Sequence, residues 1–154
     1  MIPEKLVEFI HGPAFMIVGT RDEKLCASVK RVFGAIVNQD REAITFFVPE
    51  LSSEKMLRNL DDNGRVALTM AQMPSHETYQ FKGAYISSRK SNDKEIAIQD
   101  VYCDKMVLVV EMVGFPEEFW TSYVYKPSVA VTFQVEDIFD QTPSPEAGKK
   151  ITSD

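Results

Sequence analysis

Three short stretches of this 154-residue chain carry side chains whose type and spacing suit binding chemistry. The first is Lys30-Arg31 in ASVKRVFG. Neighbouring residues of a strand point to opposite faces, so one of the two cations must turn inward or toward a partner. The pair reads either as an anion site or as solvated charge on an edge strand. The second is Ser52-Ser53-Glu54-Lys55, which opens a helical pattern. Free N–H groups and the helix dipole favour an anion there, and Lys55 adds a point charge; the plainer reading is an ordinary capped helix. The third is Tyr79-Gln80-Phe81-Lys82-Gly83. Gln80 can donate and accept hydrogen bonds, and Gly83 permits either a close backbone approach or a bulge.

Other chemistries have little support. His11 and His76 lie beside Gly or Pro turns and read as surface loop residues, with no HxxxH, HxH or cysteine-rich ligand spacing, so no metal site is expected. There is no GxSxG, P-loop or GxGxxG, and Glu117-Glu118 sits in charged, loop-like sequence. Phe119, Trp120, Tyr123 and Tyr125 form an aromatic cluster that reads as a seal over a barrel end or a subunit contact, or else as a wall that stacks on a bound ring.

These segments need elements to hold them. Leu6, Val7 and Ile10 recur at helical spacing after Pro3 until Gly12-Pro13. Residues 14–20 and 25–37 read as strands joined across Arg21-Asp22-Glu23-Lys24, and 43–48 as a third strand closed by Pro49. A helix follows from a Ser52-Ser53 N-cap to Asn63-Gly64. Residues 65–73 and 78–88 read as two more strands, 95–113 as an amphipathic helix, 120–125 as a short helical or irregular piece and 129–138 as a last strand. Six strands with brief helices favour an antiparallel barrel or sandwich, with one domain over 1–140 and a loosely ordered tail over 141–154.

Composition narrows the partners. Apolar residues make up 44% and charged residues 26%, a globular balance. A net charge of -6 argues against a nucleic-acid backbone or an anionic membrane face as the main partner, and so against a base-stacking, nucleic-acid-binding barrel. Two cysteines without CxxC spacing suggest a reducing compartment, and the opening MIPEKLVEFIHG lacks the features of a secretory signal. The richest apolar run, residues 106–115, is short and contains Glu111, so a soluble cytoplasmic protein is expected.

Taken in order, KRVFGAIV, TFFVPE, SSEKMLRNLDDNGRVALTM, SHETYQFKG and VEDIFDQTPSPEAG resemble the pyridoxamine 5'-phosphate oxidase-like, FMN-binding split-barrel family. The resemblance implies a mainly β fold, a six-stranded antiparallel Greek-key split barrel, pairing into a homodimer with FMN in a groove shared by both subunits. By position it assigns Arg31, with Lys30 beside it, and then Ser53 and Lys55 to the phosphate; Gln80 and Lys82 reach the flavin from another strand. The helix start departs from the family pattern of two adjacent basic residues, since Glu54 and Met56 flank a lone Lys55. The ending GKKITSD also lacks the basic, substrate-gripping end of true pyridoxamine phosphate oxidases. The resemblance thus implies an FMN-dependent oxidoreductase for a small substrate, in which no protein side chain need be catalytic. The alternative is a cofactor-poor split-barrel dimer acting as a binding or stress-related protein.

Overall fold

The computed structural model describes residues 1–151. Its strands are β1 (Ala14–Arg21), β2 (Ala27–Val32), β3 (Ala35–Val37), β4 (Ala43–Pro49), β5 (Arg65–Gln72), β6 (Thr78–Lys90), β7 (Ser128–Asp140) and β8 (Lys149–Ile151). The helices are α1 (Glu4–His11), α2 (Glu54–Asn63), α3 (Asp93–Met112) and α4 (Glu118–Thr121). All strand pairs are antiparallel, in the order β2-β1-β5-β6-β7-β4-β3, with β8 added to β7.

The sequence reading takes 25–37 as one strand, and the structure breaks it at Phe33-Gly34. Gly34 adopts φ +103°, a conformation that disfavours a side chain, and the kink moves the chain from pairing with β1 to pairing with β4. The Phe33 N–H donates to the Phe47 carbonyl at 2.8 Å and the Phe47 N–H to the Gly34 carbonyl at 3.1 Å. Those bonds close the sheet into a barrel. Counted as one kinked strand, β2 and β3 recover the expected six; the short β8 is an addition, in a stretch read from sequence as a loose tail.

Alternation along the strands fills the interior. Met16 and Val18 of β1, Leu68 and Met70 of β5, Phe81 of β6, and Val131 and Phe133 of β7 are buried with Phe46 and Ile44 of β4. Burying each such side chain contributes about 1.5–3 kcal/mol. Leu6, Phe9 and Ile10 of α1 pack on the same core.

Helix α3 begins two residues earlier than its apolar pattern suggests, because Asn92 forms a capping box. The Asn92 side chain accepts from the Glu95 N–H at 3.0 Å, and Glu95 accepts from the Asn92 N–H at 2.9 Å. Glu95, which is nearly buried, also takes a forked pair of bonds from Arg89, each 2.7 Å, and the guanidinium holds its carboxyl below the usual range. Tyr102 donates to the Ala14 carbonyl at 2.6 Å and ties α3 to β1.

The cap of α2 departs from expectation. Ser52 lies in a short 3-10 turn, Glu50–Ser52, and Ser53 occupies the N-cap position without a side-chain bond to the helix. The reading of His11 as a loop residue is also corrected: it closes α1, and its Nε2 accepts from the Val37 N–H at 3.1 Å.

Candidate functional site

The register of the sheet decides which of the expected site residues share a face. One cross-strand row on the outside of the barrel runs Arg31, Ile17, Thr69, Gln80, Phe139. The next row on the same face runs Val29, Gly19, Ala67, Lys82, Asp137. Arg31, Gln80 and Lys82 therefore lie on one surface, Arg31 and Gln80 three strand spacings apart, or roughly 14 Å.

Between them the surface is flat and apolar. Gly19, Ala67 and Val29 form the floor of a groove of about 320 Å³, and Arg21, Arg65 and Lys82 stand on its rim. A Cβ added at Gly19 would meet only the Ala67 carbonyl oxygen at 3.8 Å, so glycine here keeps the floor open without being needed for packing. Two β-branched side chains remain uncovered: Ile17 is 43% and Val29 60% exposed.

The cations of this face differ in their partners. Arg65 makes a forked pair with Glu136, at 2.7 and 3.3 Å. Lys82 lies opposite Asp137, but that carboxylate is taken by Lys150. Among the described residues Lys82 has no carboxylate partner, and its ammonium stands 4.8 Å from the centre of the Phe139 ring. A bulge follows it directly. The β6–β7 register slips between Lys82 and Gly83, and a Cβ at Gly83 would fall 1.8 Å from the Gln134 carbonyl oxygen. Only glycine fits that crossing. Gln80 is held by its Nε2 donating to Thr69 Oγ1 at 3.0 Å, which leaves its carbonyl oxygen directed elsewhere.

Arg31 sits in an aromatic box. Its guanidinium carbon is 5.1 Å from the Tyr123 ring centre, 5.5 Å from Trp120 and 5.9 Å from Phe15. Each contact is within cation–π range. Trp120 is buried against Phe15, Phe33, Tyr102 and Tyr123, so the aromatic cluster packs over the β2 end of the barrel.

The other three expected residues lie elsewhere. Lys30 alternates to the opposite side, in the core-facing row Lys30, Val18, Leu68, Phe81, Ile138, and is half-buried at its edge. The Ser53 hydroxyl is 1% exposed with its residue and donates to the Glu50 carbonyl at 2.9 Å. Lys55 reaches the Ala27 carbonyl at 3.5 Å and lines a separate cleft with Asp22, Arg58, Asn59, Asp61 and Asp62. Glu54 is exposed and paired with Arg58.

Sequence reasoning missed Arg21, Arg65, Gly19 and Ala67. A signal existed for two of them: in RVALT the alternating Arg65, Ala67 and Thr69 must share a face, opposite the buried Val66 and Leu68. Among the described residues there is no group of three His, Cys, Asp or Glu side chains placed to hold a metal ion, and no helix is long and apolar enough to cross a membrane.

No protein-family model and no curated protein sequence matches this chain. Solved structures do. An F420 reductase superposes with a TM-score of 0.60 at 12% identity, over 89% of this chain and 98% of its own. HupZ of Group A Streptococcus gives 0.57 at 16% identity, over 96% and 100%. A candidate pyridoxamine 5'-phosphate oxidase from Lactobacillus delbrueckii gives 0.56 at 15% identity, over 90% and 93%. At such identities the likeness concerns the backbone, and with the strand order and the kinked closure it establishes that this chain adopts the split-barrel fold of the pyridoxamine 5'-phosphate oxidase-like, FMN-binding proteins.

Proposed function

We propose that this chain is a cytoplasmic flavoprotein that binds FMN on the outer face of the barrel and acts as an oxidoreductase on a small substrate. The observation that carries the reading is Lys82, a cation without a carboxylate partner among the described residues, which lines a groove floored by Gly19 and Ala67. A planar ring needs such a floor, and a phosphate needs the unneutralised charge. Gln80 offers its amide oxygen to the ring edge, and Arg21 adds positive potential on the rim. When bound, the flavin supplies the electron or hydride transfer; the chain's own residues bind it, orient it and shield it from water.

In this reading the groove is completed by a second copy of the chain. The uncovered Ile17 and Val29 give a partner apolar surface to bury, and the face is open on its outer side. Of the four residues that the family resemblance assigns to the phosphate, Lys30, Ser53 and Lys55 play a smaller part than Lys82 because each is turned away from this groove or already bonded, and Arg31, on the same face, stands among aromatic rings outside its lining.

That last observation also favours a second reading, a cofactor-poor dimer that uses the face for binding alone. Titration of the purified protein with FMN and with riboflavin, followed by flavin fluorescence, separates the two. A flavoprotein binds FMN saturably and more tightly than riboflavin, and Lys82→Ala removes the preference. Absence of saturable FMN binding rejects the flavin reading. Bleaching of the bound flavin by candidate reductants then tests the redox step, and sedimentation tests the homodimer.

A further inference from the structure

At the end of the sheet face away from Lys82, an apolar pocket of about 520 Å³ opens between Phe15, Met73, His76, Val113, Phe115 and Phe119. Its size is that of a small-molecule site. The wall is unusual for a protein surface: Phe115 is 50% and Phe119 40% exposed, and the two rings stack 4.8 Å apart instead of burying themselves in the core. Phe15 is shared. One of its contacts is the pocket, and another is the Arg31 guanidinium, 5.9 Å from its ring centre.

Arg31 is the second, independent observation. It is half-buried, and among the described residues its guanidinium has neither an ion-pair partner nor a hydrogen bond. Tyr123, Trp120 and Phe15 surround it, but aromatic rings satisfy only the charge and leave the planar fork of N–H donors without acceptors. A guanidinium fork matches a carboxylate with two parallel bonds. We infer that Arg31 and the Phe115–Phe119 pocket together form a site for an apolar carboxylate, one with a ring or short aliphatic body in the pocket and its carboxyl group on Arg31. The site shares no lining residue with the Lys82 groove, so it does not depend on the flavin reading.

Trp120, the chain's one tryptophan, stands 5.5 Å from Arg31 and reports on the site. The experiment titrates flavin-free protein with 2-naphthoate and with its neutral counterpart 2-naphthalenemethanol, reading tryptophan fluorescence. The acid should bind about 10- to 100-fold more tightly than the alcohol, the range expected for charge-assisted hydrogen bonds. Arg31→Met should erase that preference while keeping the weaker apolar binding, Arg31→Lys should restore part of it, and Phe119→Ser should weaken both ligands. Equal affinity of the unmodified protein for acid and alcohol overturns the inference without recourse to any variant. An acid preference that survives Arg31→Met, or binding indifferent to Phe119→Ser, places the ligand elsewhere and overturns it as well. Failure of FMN to bind, with naphthoate still bound, rejects the flavin reading alone.

Discussion

The outer sheet face and the corner between α2 and the β1–β2 hairpin both present lysines, and they differ in what those lysines already touch. At the corner, Lys55 meets the Ala27 carbonyl and shares its cleft with three aspartates, Ser53 spends its hydroxyl on Glu50, and Glu54 and Arg58 pair with each other. On the face, Asp137 is diverted to Lys150 and Lys82 is left with an aromatic ring alone. Two regions of similar residue type thus have opposite binding potential. A donor is available to a ligand only when the fold has not already supplied its acceptor, since exchanging one good partner for another gains little.

The largest expected effect breaks the face itself. Gly83→Ala drives a Cβ into the Gln134 carbonyl and should destabilise the protein by about 3 kcal/mol or more, read as a fall in the urea midpoint. An unchanged midpoint would mean that the crossing with Gln134 has room for a side chain.

Next comes a change that fills the groove while sparing the fold. Gly19→Val puts a strand-favouring side chain where only the Ala67 carbonyl is near, so thermal stability should hold or rise by about 0.5–1 kcal/mol while FMN affinity falls about tenfold or more. Loss of both together would assign Gly19 a packing role instead.

The comparison is sharpened by paired alanine variants. Lys82→Ala should weaken FMN binding about 10- to 100-fold, and Lys55→Ala less than about twofold. The reverse order in a fluorescence titration would return the phosphate to the α2 corner.

The smallest effect lies at the barrel seam, away from both regions. His11 keeps an exposed edge, but its packing lowers its pKa, and its Nε2 accepts from Val37. A His whose folded pKa lies below its unfolded value contributes stability that is present above about pH 6.5 and lost as the pH falls below it. The expected loss is small because the ring keeps an exposed edge, and His11→Gln should flatten the pH dependence of the urea midpoint over that range. A profile that stays the same in the variant would remove His11 as its source.

Much of the fold was legible in the chain before any coordinates. The β-rich runs at 14–20, 43–48, 65–73, 78–88 and 129–138 and the Asn63-Gly64 stop are local patterns, which sequence records directly, whereas α3 forms as expected but leaves Ile98 and Val101 of its apolar pattern exposed. Gly83, whose residue type permits a bulge or a close approach, makes both. The half of the site on alternating strand positions was legible for the same reason: Gln80 and Lys82 are two apart and must share a face, and Lys30 and Arg31 are adjacent and cannot.

Which face that would be, and who else stood on it, was a tertiary decision. Placing Arg31 in line with Gln80 depends on the register of three successive strand pairs, joined by segments far apart in the chain. The diversion of Asp137 to Lys150 depends on β8 folding back onto β7, which no local pattern announces. The availability of Ser53 was settled by a carbonyl three residues before it, and that of Arg31 by aromatic rings arriving from α4, the turn after it and β1. Residue types and their alternation are local properties of a chain, whereas the partners that neutralise a charge or leave it open are brought together only when distant segments pack.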